Sequence, residues 1–160
     1  MEALRRGGES RRSRRRADHR GDKIRRGSHD PAPKDGQLWR SISRDKGETW
    51  SATEKTGLTA TSSASHLLCT RDGTLVLTSN PGPVPLRFPL LLRTSRDEGK
   101  TWSEPTLLAD RPQKVGGWST CYPSLTELPD GTLVALWAQI KSSTGELYGD
   151  IHSARITLKN

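Results

Sequence analysis

Three groups of side chains in this 160-residue chain have types and spacings that bear on chemistry. The first is a pair of carboxylates, Asp45 and Asp97, at the same place in two near-identical octapeptides, SRDKGETW at 43–50 and SRDEGKTW at 95–102. A carboxylate can serve catalysis or accept main-chain hydrogen bonds, and the duplication favours the second role, because one active centre does not need two copies. Between two strands each Asp would accept backbone N–H bonds in an Asx-type turn. Gly47 or Gly99 would take the left-handed conformation. Ser43 or Ser95 and the threonines would satisfy the remaining donors, and Trp50 or Trp102 would anchor the turn in the core. The second group is Cys69 and Cys121, too few for a disulfide framework and at a spacing that matches no metal site. Each reads as a small buried apolar residue, and neither a metal nor a cofactor is expected.

The third group is a run of arginines. Residues 1–26 carry eleven basic side chains against four acidic ones, a balance of +7, and the rest of the chain is close to neutral at +1. Phosphate contacts from such a segment would be sequence-independent and salt-sensitive. Few aromatic residues are interleaved there, so nucleic acid is not the expected partner. Residues 1–35 hold almost no apolar side chains and no periodicity, and the segment reads as disordered. It lacks the apolar stretch of a secretory signal, and no apolar run long enough for a membrane-spanning helix occurs. No localisation is assigned.

The elements that must position these groups are strands. The octapeptides lie 52 residues apart, and a second element, DGTLV, recurs at 72–76 and 130–134, 58 residues apart. The two alternate along the chain, and a unit of about 50 residues falls in the range of propeller and kelch-like repeats. HLLCT and TLVLTS flank an Asp-Gly turn as a hairpin. LRFPLLLRTS follows as a third strand, and TWSEPTLLA after the octapeptide as a fourth. YPSLTEL, TLVALWAQI and ELYGDIHSARITL open the next unit. Pro, Gly and β-branched residues interrupt every window of helical length, so the class is all-β.

The pattern S-x-D-x-G-x-T-W is the Asp-box, and its repetition at this spacing resembles the sialidase (neuraminidase) superfamily of BNR/Asp-box proteins. The stretch TSNPGPVPLRFPLLLRTSRDEGKTWSEPTLL followed by CYPSLTELPDGTLVALW is similar to the C-terminal part of bacterial sialidase-like enzymes. The resemblance covers residues 36–160. It implies part of a six-bladed β-propeller, about two and a half blades of four-stranded antiparallel sheet, joined to the tail at 1–35. It also implies an exo-α-sialidase-type glycoside hydrolase whose partner is a sialylated or similarly acidic glycan.

Carried over by motif, Arg87 matches the third of three arginines that grip the sialic acid carboxylate, and Tyr122 matches the tyrosine nucleophile. A guanidinium offers a fixed fork of donors for a carboxylate. A neutral phenol avoids repulsion between nucleophile and substrate carboxylate, the exception to the two-carboxylate scheme of glycosidases. Asn80 heads a Pro-Gly turn and reads as a turn residue. Arg40 lies three residues before Ser43, whereas Arg87 lies eight before Ser95; odd and even offsets place them on opposite strand faces, so Arg40 is not expected to be a second ligand.

The acid/base Asp, the Glu that activates the tyrosine and the other arginines of the family have no counterpart in 36–160. The chain alone is therefore expected to be inactive, as a truncated gene product or one with a misassigned start would be. Its open sheet edges are expected to favour self-association. The competing reading is a non-catalytic propeller module that binds carbohydrate or protein.

Overall fold

The computed structural model describes residues 24–25, 36–60, 63–81, 87–110, 118–143 and 146–158, and these contain ten strands and no helix. The repeated motifs set the strand limits. β4 (His66–Cys69) and β5 (Leu75–Ser79) join through an Asp-Gly turn in which Gly73 has φ +87°. The Thr74 N–H donates to Asp72 Oδ1 at 3.0 Å, closing that turn from within. β6 (Leu90–Ser95) and β7 (Thr106–Ala109) flank the second octapeptide, and the sheet runs β4-β5-β6-β7, antiparallel throughout.

Two three-stranded sheets accompany it. One is β1 (Ile24–Arg25), β2 (Gln37–Ile42) and β3 (Glu54–Thr59), with the first octapeptide between β2 and β3. The other comprises β8 (Trp118–Glu127), β9 (Leu133–Ser143) and β10 (Glu146–Ile156), with β9 in the middle. β1 falls inside the Arg-rich segment that reads as disordered, and the rest of 1–35 lies outside the described residues. Ile24 pairs with Ile42 and Arg25 with Ser41. An open sheet edge offers main-chain donors and acceptors that pair with an extended segment whatever its side chains.

The four-stranded sheet is covered on both faces, and β5 shows it: all five of its residues are buried. Val76 joins one core with Leu90, Leu92, Leu125, Leu133, Ala135 and Trp137, between this sheet and β8–β10. Its neighbour Leu77 points the other way, into a smaller core with Leu38 and Ala60 of the β1–β3 sheet. A strand buried on both faces carries a continuous apolar run in place of alternation, as the LVL of DGTLVLTS does. Consecutive sheets stacked face to face in this way are arranged as propeller blades.

The octapeptides form the turns their sequence calls for. Asp97 accepts the Thr101 N–H at 2.9 Å, the Thr101 hydroxyl at 2.6 Å and the Ser95 hydroxyl at 2.7 Å, while Ser95 Oγ accepts the buried Gly99 N–H at 2.9 Å. Asp45 repeats this with Thr49 and Ser43, and Gly47 donates to Ser43 Oγ at 2.7 Å. The threonine bonds, first from the hydroxyl and then from the amide, hold both carboxyls well below the usual carboxylate range. Lys46 and Glu98 precede their glycines with φ of 62° and 59°, so each turn has two successive left-handed residues, the φ signature of a type I′ turn. Trp50 Nε1 closes back on the Gly47 carbonyl at 3.2 Å, and Trp102 packs on the smaller core.

Three expectations need correction. The third strand, expected over LRFPLLLRTS, begins only at Leu90, with Arg87, Phe88 and Pro89 outside it. The fourth strand begins at Thr106 and not at Thr101. Between them Ser103 bonds the edge of β6 twice, its N–H to the Thr94 carbonyl and its hydroxyl from the Thr94 N–H, which bends the chain before the ladder resumes. Cys69 is exposed, at the end of β4 beside the turn; only Cys121 is buried.

Two guanidinium groups reach main-chain carbonyls of a neighbouring sheet. Arg40 Nη1 on β2 donates to the Glu98 carbonyl at 3.1 Å, and its Nε to Glu54 at 2.6 Å. Arg71 Nη1, in the β4–β5 turn, donates to the Pro129 carbonyl in the β8–β9 turn at 2.9 Å. These ties place both octapeptides and both Asp-Gly turns at one end of the stack. Because adjacent strands are antiparallel, the opposite end receives Ala60, Asn80, Arg87 and the start of β8.

Candidate functional site

Arg87 stands just before β6 and Tyr122 lies in β8, on that opposite end. Arg87 Nη1 donates to the Tyr122 hydroxyl at 3.2 Å, and the guanidinium carbon is 5.8 Å from the centroid of the tyrosine ring. The two residues that the sequence singles out are thus brought together, one from each of two adjacent sheets. The eight structural residues of the octapeptides are not among them, and Arg40 is held at the far end by Glu54 and Glu98.

The local backbone explains the meeting. In β8, Cys121 pairs with Ala138 and Ser124 with Leu136, so three steps along β8 match two along β9. This is a β-bulge, and Tyr122 sits in it with φ +55°. Glycine holds such positions by default, and a residue preceding proline, here Pro123, is disfavoured there. Non-glycine residues in the left-handed region persist where surrounding structure fixes them, and they cluster at functional sites. The Tyr122 side chain is 57% exposed.

Arg87 is held through its main chain. Its carbonyl accepts the Thr120 N–H and the Thr120 hydroxyl, both at 2.8 Å, and Asn80 Nδ2 at 3.2 Å. Asn80 Nδ2 also donates to the Pro89 carbonyl at 3.0 Å and approaches Thr120 Oγ1 at 3.3 Å. Asn80 and Thr120 are both 1% exposed. Asn80, read from the sequence as a turn residue, has a buried side chain that bonds the Arg87 and Pro89 carbonyls on the far side of the segment that follows β5. Thr120 is not marked in the sequence, because its role comes from cross-sheet contact and no local pattern records it.

Donation to the Tyr122 hydroxyl raises the Arg87 pKa further, so the group is a permanent cation. Burial pushes the Cys121 thiol up, with the nearby Arg87 acting in the opposite sense. No cluster of three His, Cys, Asp or Glu side chains arranged to hold a metal occurs among the described residues. The site is therefore a fixed positive charge beside an accessible phenol oxygen, an arrangement suited to an anionic ligand and to attack by the oxygen.

Antiparallel sheets stacked through two apolar cores, with side-chain-closed turns at one end and an Arg–Tyr pair at the other, define a β-propeller protein. A family profile described as "BNR repeat-like domain" matches residues 24–135, and the chain belongs to that family. The match begins within the Arg-rich segment, at β1. Among solved structures, a mutant of the NanB sialidase from Streptococcus pneumoniae aligns with a TM-score of 0.55 at 23% identity, over 72% of this chain and 19% of its own. A PL25 ulvan lyase bound to a GlcA–Rha3S repeat aligns with a TM-score of 0.51 at 15% identity, over 70% of this chain and 26% of its own. These likenesses are of fold, and the chain spans about a fifth to a quarter of the proteins it resembles. No curated protein sequence matches it.

Proposed function

We propose that this chain carries the carboxylate-binding and nucleophilic corner of an exo-α-sialidase-like glycoside hydrolase acting on terminal sialic acids or similar acidic sugars. The observation that supports it is the 3.2 Å contact between Arg87 and the exposed Tyr122 hydroxyl. A sialidase and a polysaccharide lyase among the fold neighbours make carbohydrate the substrate class they share. Arg87 keeps donors beyond the one given to Tyr122 and pairs with the sugar carboxylate. The Tyr122 oxygen attacks the anomeric carbon as the bond to the leaving-group oxygen breaks. The phenol proton passes to a base, and the leaving oxygen takes a proton from an acid. Water then hydrolyses the glycosyl–tyrosine bond and restores the phenol.

Among the described residues no carboxylate hydrogen-bonds the Tyr122 hydroxyl, so neither the base nor the acid is identified. That observation favours, as the second reading, binding of an acidic glycan without turnover. One assay pair separates the two. The chain and its Arg87→Ala variant are titrated calorimetrically with N-acetylneuraminate and, as a neutral control, galactose; release from a fluorogenic sialoside is followed in parallel. Arg87-dependent binding is expected of this chain under both readings, and release that is lost in Tyr122→Phe supports the hydrolase. Absence of Arg87-dependent binding would refute both.

A further inference from the structure

We infer that Asn80 and Thr120 are positioning residues for Arg87, holding its main chain so that the guanidinium meets the Tyr122 hydroxyl. The inference rests on the reading that Arg87 and Tyr122 are the working pair. Three donors converge on one carbonyl, the Thr120 N–H, the Thr120 hydroxyl and the Asn80 amide. Geometry within a strand requires none of them: Arg87 precedes β6, and its partners come from β8 and from the residue after β5. All three lie in the interior, where leaving a donor unpaired is costly; the Asn80 amide is held through its nitrogen, while its Oδ1 accepts no hydrogen bond among the described residues.

The clamp bears on both halves of the pair. Thr120 grips the Arg87 main chain, and two residues further along β8 the left-handed Tyr122 receives the Arg87 side chain. Arg87 is thus fixed to one short segment at two points, its carbonyl and its Nη1. A long, rotamer-rich side chain gains precision when the backbone beneath it cannot shift. The same Asn80 amide secures the Pro89 carbonyl, so the whole approach to β6 moves as one piece with β8.

The test reads the contact itself. Tyrosine labelled with carbon-13 at Cζ gives two resonances in this chain, from Tyr122 and Tyr148, and Tyr122→Phe assigns them. Arg87→Ala marks the position of the Tyr122 signal without its partner. Thr120→Val, which keeps the shape and removes the hydroxyl, is expected to move the Tyr122 signal toward that position while Tyr148 stays in place. Thr120→Ser is expected to restore the wild-type position. Asn80→Ala provides a second route, and it decides if Thr120→Val fails to fold. Folded variants whose Tyr122 signal remains at the wild-type position would overturn the inference. So would an Arg87→Ala signal that does not move. Because no sugar is present, this result is independent of the titration that tests the functional reading.

Discussion

Replacing Ser95 with alanine should cost far more than replacing its counterpart Ser43, although both make the same bonds. Each hydroxyl donates to its Asp at 2.7 Å and accepts a glycine N–H, at 2.9 Å from Gly99 and 2.7 Å from Gly47. The surroundings differ. Gly99 is buried, with a hypothetical Cβ 3.3 Å from Trp102 Cζ2 and 3.4 Å from Arg40 Nη1, whereas Gly47 is only partly buried and has just Trp50, at 3.6 Å. Removing Ser95 Oγ strands the Gly99 donor where water has no room, a loss of about 1–3 kcal/mol. Ser43 and Ser95 are equally buried, at 3% exposure each, but the Gly47 amide that Ser43 serves is partly exposed, which leaves about 0.5–1.5 kcal/mol, the net worth of an ordinary hydrogen bond. In a chain of this size the larger loss lowers Tm by about 2–12 °C. Urea unfolding followed by far-ultraviolet circular dichroism measures both variants on one scale. A Ser43→Ala loss equal to or larger than that of Ser95→Ala would show that burial of the turn amide does not set the cost.

Acid should destabilise the chain through the same turns. The folded pKa values of Asp45 and Asp97 are depressed, so their contribution is complete above the ordinary value of 3.8 and is lost as pH falls below it; Asp97→Asn should flatten that decline in a pH series of melting curves. Tyr122→Gly should change the melting temperature little, since relief of a left-handed strain of about 1–2 kcal/mol offsets the loss of a partly buried ring and its Arg87 contact; a clear drop would mean the bulge depends on the tyrosine ring. Arg40→Met should cost about 1–2 kcal/mol, because it keeps the packed stem and removes hydrogen bonds to Glu54 and to the Glu98 carbonyl; chemical denaturation with unchanged stability would show that the tie between the first two sheets carries no weight.

Much of the architecture is legible in the sequence because turns are local. The octapeptides and the Asp-Gly pairs specify their own hydrogen bonds within a few residues, and they lie between β2 and β3, β4 and β5, β6 and β7, and β8 and β9. β1 is not legible, since an arginine-rich stretch carries no strand pattern and the pairing of Ile24 with Ile42 is set by main-chain groups. The bulge in β8 is not legible either: a Tyr-Pro pair argues against the left-handed conformation that Tyr122 adopts, and only the register with β9 enforces it. Arg87 and Tyr122 are marked by resemblance to a family, while Asn80 and Thr120 depend on contacts across 40 positions of sequence. Arg40 is engaged at the other end of the stack, by Glu54 and Glu98, whereas Arg87 precedes β6, so parity along one strand does not relate the two.

The inter-sheet ties made by Arg40 and Arg71 share one property. Both reach a main-chain carbonyl, that of Glu98 from Arg40 and that of Pro129 from Arg71, and both span 58 residues. The two arms do not occupy equivalent places in the repeat: Leu92 stands where Arg40 would recur and Pro129 where Arg71 would. A carbonyl is present whatever side chain a residue bears, so a single substitution suffices to create such a joint, and no matching change is needed in the neighbour. Copies of a duplicated unit can then diverge in sequence one at a time, each free to acquire its own fastening, without the stack coming apart on the way.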